Sequence, residues 1–389
     1  MNLVLARIAA GAILVAVLVP GSASFAKSSV SPQHPRFGIT LGQLQNAYGF
    51  SPLYKLGYTG QGQVIAVVEG AVDPAYIAHN MALFDAHYHL PPVNIHYLYP
   101  GGRYVSKKWN GEDNLDVSLI HGLAPGAVID LVVEKNPLTA FRYIVAHHLA
   151  HIVSYSANTV ESRFTHAEIQ AYDGVLQQMA LHGIGIYKGI GDWGALDNNP
   201  KGWPKLDTAH FKVNFPASSP FVTAVGGTTL QATPAGAYVG ESVWAKSGGG
   251  FSEWFSRPFW QKAPGIATTQ TKRGIPDVAF DANPKTGLLL YEKSRLVPVG
   301  GDSAGGPAWS AIAALANEVA KRPLGFLNPR LYAIARSPYY HLAFHDVLKG
   351  GNGYAARPGW DPATGLGSPN VYELVKLLTV GAKRALPTH

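Results

Sequence analysis

The sequence predicts an α/β fold in which a mostly parallel central sheet is covered by helices on both faces. Two observations support this prediction. Apolar runs of strand length alternate with helical patterns between residues 64 and 225. These runs are nearly continuous and lack the polar alternation of strands that face water. Strands of this kind are buried on both faces by the helices that connect them, so layers of helices on both sides of one sheet are expected.

The expected elements follow one another in chain order. Strands are expected at residues 64–69, 93–98, 127–133, 151–156, 183–189 and 221–225. Helices are expected between them at residues 75–87, 112–121, 138–150 and 162–182. A hairpin is expected at residues 228–244, two further strands within residues 286–299, and closing helices at residues 308–321, 328–336 and 371–378. No repeat or break in composition divides the chain, which favours a single domain.

The N-terminus is typical of a secretory signal peptide over residues 1–26. Arg7 supplies the positive start, residues 8–19 are apolar, and residues 22–26 offer small side chains for cleavage. The apolar run is shorter than the roughly 20 residues of a membrane-spanning helix. We therefore expect a secreted, extracellular protein with a short polar lead at residues 27–36 and one domain over residues 37–389. An uncleaved membrane anchor is the alternative.

The composition narrows the classes of function. Of 389 residues, 47% are hydrophobic and 14% charged, which is typical of a compact globular protein, and the net charge of +7 is spread without a dense basic run. This distribution argues against nucleic-acid binding. The absence of cysteine excludes disulfides, thiolate catalysis and cysteine-bound metals. The low carboxylate count suits an acidic working pH. We expect a monomer with no membrane contact once the signal is removed.

Ser303 is the first candidate for chemistry. Residues 301–305 (GDSAG) match the G-x-S-x-G turn that presents the nucleophile of α/β-hydrolases. Pro307 lies four residues after the serine, near the first turn of the expected helix, where proline is tolerated. That spacing is also the subtilase-like arrangement G-T-S-x-x-x-P, with Asp302 in the place of threonine. A serine that merely caps a strand-to-helix turn is the structural alternative.

Carboxylates that precede Ser303 offer a base. Glu112 and Asp116 are spaced i, i+4, so a helix brings them to one face. A solvated acidic first turn would account for Glu112 and Asp113, but not for Asp116, which stands among apolar residues. Asp192 follows an apolar run between two glycines, where ligand sites form at the ends of parallel strands. A turn held by the aspartate side chain is the alternative for Asp192.

Taken together, ordered blocks along nearly all of the chain after residue 36 resemble the sedolisin family, the serine-carboxyl peptidases built on a subtilisin-like fold. Besides the three motifs above, the blocks that carry the resemblance are residues 58–66 (YTGQGQVIA), 115–117 (LDV), 123–127 (LAPGA), 225–230 (VGGTTL), 244–252 (WAKSGGGFS), 276–278 (PDV) and 360–369 (WDPATGLGSP). The resemblance implies a subtilisin-like α/β fold and an endopeptidase that acts on proteins or peptides.

Positions that match the family's motifs acquire roles from the resemblance. It implies that Ser303 is the nucleophile, Glu112 the general base, Asp116 the residue that hydrogen-bonds and orients Glu112, and Asp192 the donor to the oxyanion. A glutamate base works over acidic pH, since its reference pKa is about 4.3. Asp192 can donate only while it is protonated. Both demands together predict activity at acidic pH.

A second site is expected near the C-terminus, in the loop of residues 345–361. Two carboxylates and loop carbonyls are hard oxygen ligands, which suit calcium rather than zinc. The family binds Ca²⁺ in this loop, and the resemblance implies one structural ion. The implied ligands are the carboxylates of Asp346 and Asp361 and the backbone carbonyls of Val347, Arg357 and Gly359. A turn held by the aspartate side chains is the alternative.

Two departures from the family keep other functions open. Asp302 replaces the usual threonine and adds a carboxyl group beside the nucleophile. Few residues separate the signal from the first family-like block, so the usual long pro-region is expected to be missing. A catalytically impaired peptide-binding protein on the same scaffold is one alternative. An α/β-hydrolase esterase is the other, although it needs an acid and a histidine after the nucleophile, a place that only His389 could nominally fill.

Overall fold

The computed structural model describes residues 37–105, 111–157, 159–195 and 213–380. All of these residues belong to one compact unit. The expected signal peptide and polar lead, residues 1–36, lie outside the described residues, as does His389. Within the described ranges, no helix combines the length and the apolar character needed to cross a membrane.

Helices are distributed along the whole described chain. Their bounds are α1 Leu41–Ala47, α2 Ser51–Lys55, α3 Pro74–Tyr88, α4 Gly111–Leu123, α5 Pro137–His147, α6 His166–Leu181, α7 Gly305–Ala320, α8 Asn328–Ala335, α9 Tyr340–Ala343 and α10 Val371–Leu378.

Strands alternate with the helices in the first half of the chain and form hairpins in the second. Their bounds are β1 Val64–Glu69, β2 Asn94–Leu98, β3 Val128–Val133, β4 Ile152–Tyr155, β5 Thr159–Val160, β6 Gly185–Gly189, β7 Asn214–Phe215, β8 Thr223–Ala232, β9 Tyr238–Val243, β10 Gly250–Ser256, β11 Lys272–Ile275, β12 Val278–Asp281, β13 Leu289–Glu292, β14 Arg295–Pro298, β15 Phe344–His345 and β16 Ser368–Pro369.

The central sheet has the order β12-β8-β6-β4-β1-β3-β2, and all of these neighbours pair in parallel. β9 adds an antiparallel strand against β8. The middle strands β1, β4 and β6 therefore end at one edge of the sheet, and the loops that follow them lie side by side. In open parallel sheets, ligand sites form at this carboxyl edge.

Helices cover both faces of the sheet, as the sequence predicts. One apolar layer includes Leu115 and Ile120 of α4 and Trp309 and Leu315 of α7, all almost fully buried. The opposite layer joins Phe141 and Ile144 of α5 to Leu176 and Met179 of α6 and to the sheet. Burying an aliphatic or aromatic side chain contributes about 1.5–3 kcal/mol to the stability of the fold. The first layer therefore holds α4 and α7 against one face of the sheet, and the second holds α5 and α6 against the other.

Most predicted elements are present, with small shifts at their ends. The hairpin at residues 228–244 is formed by β8 and β9, and the two later strands are β13 and β14. The helix expected at residues 162–182 begins only at His166, because Thr165 caps it: its hydroxyl accepts a hydrogen bond from Glu168 N–H, and the Glu168 side chain returns to Thr165. The residues before it form a single 3-10 turn.

Candidate active site

Ser303 stands where a glycine-rich loop enters α7. Residues Asp302–Ala304 form one 3-10 turn, α7 begins at Gly305, and Ser303 is buried. Gly301 before the turn has φ of 122°, a conformation that side chains rarely adopt. The turn therefore delivers the serine to the N-terminal end of a 16-residue helix. Backbone N–H groups and the helix dipole at such an end favour a developing negative charge.

Glu112 lies in the first turn of α4, next to Ser303. Burial raises the pKa of Glu112 to about 7, while the neighbouring Ser303 hydroxyl and the Lys188 ammonium lower it. The carboxyl oxygen Oε1 is buried without a hydrogen-bond partner among the described residues. Ser303 and Glu112 are close enough to affect each other, yet no fully formed hydrogen bond joins them. Long contacts of this kind are common in substrate-free enzymes, because the bond tightens only when substrate binds.

Asp116 lies one turn further along α4 and is fully buried. Its hydrogen bonds come from Ser156, whose hydroxyl lies 2.8 Å from Oδ2 and 3.1 Å from Oδ1. The orienting hydrogen bond to Glu112 that the family resemblance implies needs a proton held between the two carboxyls, since ionised carboxylates only accept, and it stays a prediction. Burial and the charge of Glu112 raise the pKa of Asp116. The negative charges of Asp116 and Glu112 therefore disfavour each other. A direct hydrogen bond between the two carboxyls would require one of them to be protonated.

Glu69 is a carboxyl of the site that the sequence analysis missed. It ends β1 and is buried, and Oε1 has no hydrogen-bond partner among the described residues. Burial raises its pKa well above the ordinary value, and the charges of Asp116, Glu112 and Asp113 raise it further. A carboxylate at the carboxyl end of a predicted central strand was the signal that could have identified it.

Asp113 corrects the interpretation of α4 as starting with a solvated acidic turn. Its side chain is buried with 2% exposure, and burial raises its pKa to about 7. Oδ1 accepts a hydrogen bond of 2.8 Å from Asn114 N–H. Helix periodicity could not show this, because α4 is enclosed on several sides and nearly all of its residues are buried.

Asp192 follows β6 and reaches the loop of Ser303. Its Oδ1 accepts a hydrogen bond of 2.7 Å from the backbone N–H of Asp302. Burial raises the pKa of Asp192, while this hydrogen bond and the charges of Lys188 and Lys246 lower it. A carboxyl that burial keeps protonated can donate a hydrogen bond, which is what an oxyanion requires.

Asp302 is buried directly beside Ser303. Its Oδ2 accepts hydrogen bonds from the Ser247 hydroxyl at 2.8 Å and from Gly248 N–H at 3.3 Å. Its Oδ1 is buried with no hydrogen-bond partner in the described structure. Burial raises the pKa of Asp302 well above the ordinary value, the charge of Asp192 adds to that, and Lys188 opposes it. The unusual carboxyl therefore points into the Ser247–Gly248 loop and favours its neutral form.

Lys188 of β6 is a second residue of the site that the sequence analysis missed. A lysine within an apolar strand run gives no sign of its partners, since these come from distant parts of the chain. It is fully buried, and burial lowers its pKa to about 7, while the charges of Glu112, Asp302 and Asp192 act in the opposite direction.

A cavity of about 290 Å³ opens beside Glu112. Its walls come from α4 and from the β13–β14 hairpin and include Glu112, Leu115, Val297, Val299 and Gly300. The mixture of apolar walls and one carboxyl of the site suits a substrate side chain next to the reacting bond.

The C-terminal loop holds both aspartates of the expected calcium site in backbone hydrogen bonds. Asp361 is buried, and its Oδ1 accepts hydrogen bonds from Ala363 and Thr364 N–H, while Oδ2 accepts one from Arg357 N–H. Asp346 Oδ2 accepts a hydrogen bond from Gly359 N–H. Burial raises the pKa of Tyr340, and the charges of Asp346 and Asp361 raise it further.

The donor set of this loop fits a hard cation. No Lys or Arg pairs with Asp346 or Asp361 among the described residues, although burial raises the pKa of both carboxyls. Two such groups with nearby loop carbonyls are oxygen donors of the kind calcium takes. The described residues contain no group of three or more metal-ligating His, Cys, Asp or Glu side chains, so any site here depends on backbone oxygens.

Known proteins resemble this chain both in sequence and in fold. No protein-family model matches the chain. Kumamolisin of Bacillus sp. (strain MN-32) is 32% identical over 360 residues, which cover 85% of this chain and 62% of that protein. Sedolisin of Pseudomonas sp. (strain 101) is 35% identical over 290 residues, which cover 68% of this chain and 48% of the relative. The chain thus spans about half to three-fifths of the length of these relatives.

The similarity in fold extends over a larger share of both chains than the similarity in sequence. The solved structure of Pseudomonas sedolisin, a serine-carboxyl proteinase complexed with two molecules of pseudo-iodotyrostatin, matches with a TM-score of 0.78 and 28% identity. The match covers 89% of this chain and 99% of that one. The α/β architecture with its mostly parallel sheet is confirmed by this likeness. Together with the sequence relatives, it shows that the homologues of this chain are serine-carboxyl peptidases of the sedolisin family.

Proposed function

We propose that this protein is an acid-active endopeptidase that cleaves protein or peptide substrates through an acyl-enzyme on Ser303. One observation carries the proposal: Ser303, Glu112 and Asp192, which are far apart in the sequence, meet where a helix begins at the carboxyl edge of the sheet. A hydroxyl, a base and an oxyanion donor in one place are the components of acyl transfer.

In the proposed first step, the Ser303 hydroxyl adds to the carbonyl carbon of the scissile bond and its proton passes to Glu112. The carbonyl oxygen becomes an oxyanion, which accepts hydrogen bonds from protonated Asp192 and from backbone N–H at the start of α7. Glu112 then returns the proton to the leaving amine, and the C–N bond breaks. Water, deprotonated by Glu112, hydrolyses the ester on Ser303 and restores the enzyme.

The pH range follows from the opposite demands on two carboxyls. Glu112 must lose its proton and Asp192 must keep its own. Glu69, Asp116, Glu112 and Asp192 are coupled or adjacent, so the cluster loses its protons stepwise rather than at once. The active form carries one negative charge, on Glu112, with the proton kept on Asp192, and it is lost when the cluster takes a second negative charge as pH rises. We therefore place the optimum below pH 7.

Three further properties belong to the proposal. One structural Ca²⁺ is held by the carboxylates of Asp346 and Asp361 with the carbonyls of Val347, Arg357 and Gly359, which stabilises the C-terminal loop. The protein is secreted and works as a monomer. The signal-like N-terminus and the spread of surface charge in the sequence support these two properties.

The test is cleavage of an acid-denatured protein between pH 3 and 5, with the Ser303→Ala variant as control. Activity that Ser303→Ala loses supports the endopeptidase. Turnover of esters alone would support the hydrolase alternative, and inactivity of both chains together with peptide binding would support the non-catalytic alternative. The Ser303→Ala melting curve must match that of the natural chain, so that loss of activity is not loss of fold.

A further inference from the structure

Lys188 is a buried cation whose ammonium group is held by two backbone carbonyls and feels the charges of three carboxyls of the site. We propose that Lys188 is a positioning residue whose ammonium group is the counter-charge of the site and sets the pH range over which Glu112 and Asp192 hold the required charges. The proposal rests on the proposed function, since it concerns the same site, but it can fail while that function stands.

The first support is the location of the ammonium group. Nζ donates hydrogen bonds to the carbonyl oxygens of Ala157 at 2.6 Å and Gly189 at 3.0 Å, and it lies 5.2 Å from the ring centre of Tyr155. Ala157 follows Ser156, which binds Asp116, and Gly189 leads to Asp192. Lys188 therefore ties together the ends of β4 and β6, the two strands that deliver these carboxyl contacts.

The second support is the packing of β6 against the nucleophile turn. A Cβ atom on Gly189 would lie 2.2 Å from the carbonyl oxygen of Asp302 and 3.1 Å from Ser303 N. Only a glycine allows this approach, because any side chain would force the two backbones apart. The carbonyl that accepts from Lys188 thus belongs to a residue in direct contact with the turn of Ser303.

The third support is the charge around the ammonium. Three carboxyls act on the ammonium through their negative charges: Glu112 on α4, Asp302 in the turn of Ser303 and Asp192 in the loop after β6. All three raise the pKa of Lys188, against the effect of its burial. Among the described residues, Lys188 forms no direct ion pair with any of these carboxyls. Its charge therefore acts on all three carboxyls and does not neutralise a single one. Its pKa of about 7 leaves it charged at acidic pH, where those carboxyls exchange protons.

A positive charge favours the ionised form of a nearby carboxyl, by about one pKa unit or more at close range. Without it, the pKa of Glu112 and the pKa of Asp192 both rise. The acidic limb of kcat/KM, where Glu112 loses its proton, and the alkaline limb, where Asp192 loses its own, should then move to higher pH together. A purely structural role would lower kcat/KM or stability and leave both limbs where they are.

The decisive experiment compares kcat/KM against pH for the natural chain, Lys188→Met and Lys246→Met. Methionine keeps the length of the side chain and removes the charge. Lys246 is an exposed lysine that acts on Asp192 and is the matched control. We expect both limbs of Lys188→Met to shift upward by about one pH unit. Lys246→Met should move only the alkaline limb, by clearly less, because water screens an exposed charge.

Lys188→Arg retains a positive charge and should keep the acidic limb near its natural position, if it folds. Limbs of Lys188→Met that coincide with those of the natural chain overturn the proposal. An inactive natural chain would instead refute the proposed function, and the two failures are therefore distinguishable.

A measurement on the natural chain covers the case in which the variants do not fold. With ¹³Cε-labelled lysine, one lysine signal should titrate near pH 7, far below the ordinary pKa of about 10.4. That titration should move when a peptide aldehyde forms a hemiacetal with Ser303, because the adduct changes the charge of the neighbouring carboxyls. The absence of any lysine signal that titrates below about pH 9, or a titration that the adduct leaves unchanged, overturns the proposal.

Discussion

The backbone N–H of Asp302 donates a hydrogen bond of 2.7 Å to Oδ1 of Asp192. Because an N–H can only donate, Oδ1 is the acceptor, and the proton of a neutral Asp192 belongs on Oδ2. A Cβ atom on Gly301 would lie only 3.0 Å from that Oδ2, so the glycine leaves room for the carboxyl. The turn of Ser303 thus sets the orientation of Asp192 and determines which of its oxygens would donate to an oxyanion in the proposed mechanism.

Asp192→Asn tests this orientation. The amide oxygen can accept from Asp302 N–H, and the NH₂ group takes the place of the protonated Oδ2 and donates at every pH. We expect substantial activity at acidic pH and an alkaline limb of kcat/KM that moves upward, because no proton can be lost from the amide. Asp192→Ala should instead lose about 10²–10³-fold in kcat, the usual effect of removing an oxyanion donor. An alkaline limb of Asp192→Asn that stays in its natural position would contradict the assignment.

Glu112→Gln tests the general base. The amide fills the same space but cannot take the Ser303 proton, so kcat should fall by about 10²–10⁴-fold. Glu292→Gln is the matched control, since Glu292 lines the same cavity while its carboxylate accepts hydrogen bonds from Asn114 and Tyr76. Its kcat should stay within a few-fold of the natural value. Equal losses of kcat in the two variants would contradict the assignment of Glu112 as the base, because they would show that any change in the cavity lowers activity.

Thermal stability should fall as pH rises from about 4 to about 7. Burial raises the pKa of Asp281 and Asp113 to about 7 in the folded chain, whereas these groups titrate near 4 when unfolded. The folded state therefore binds more protons in this window, and the free energy of unfolding decreases as pH rises through it. One unit of difference in pKa corresponds to about 1.4 kcal/mol, so a loss of at least ~2 kcal/mol is expected.

Asp281→Asn gives that prediction a control. It removes one buried carboxyl that has no proposed role in catalysis. Oδ1 of Asp281 accepts hydrogen bonds from Leu230 N–H and the Thr286 hydroxyl. The difference in melting temperature between pH 4 and pH 7 should be smaller in Asp281→Asn than in its parent. Both chains should carry Ser303→Ala, so that self-digestion does not distort the curves. A melting temperature that rises from pH 4 to pH 7 in the parent would refute the expected direction.

Removal of calcium should lower the melting temperature. A ligand that binds only the folded chain stabilises it by about 2.7 kcal/mol at one hundred times its dissociation constant. Excess chelator should therefore destabilise the natural chain, and added Ca²⁺ should restore it. Asp361→Asn should melt lower in calcium and respond little to chelator. Glu373→Gln, which alters a partly exposed carboxylate on α10 that pairs with Lys376, should behave as the natural chain does. A natural chain that chelator does not affect has no structural ion.

Prediction from the sequence was most successful where local patterns are strong. The helix at Val371–Leu378 and the strand at Val64–Glu69 lie where apolar periodicity predicts them. Ser303 was identifiable because a glycine-rich turn before an apolar helix is a local feature. β12 was not predicted as a strand of the sheet, since four residues give too short a pattern and their pairing with β8 is non-local.

The sequence by itself determined the α/β class, the order of the main elements and the identity of four candidate catalytic side chains, because these depend on residue types and on short-range periodicity. Only the tertiary structure decided which charges surround Ser303. Glu69 and Lys188 enter the site through the parallel order of β1, β4 and β6 and through the packing of the turn of Ser303 on Gly189. Burial and the distance between charges set the pKa of each group, and both arise only when distant parts of the chain pack together.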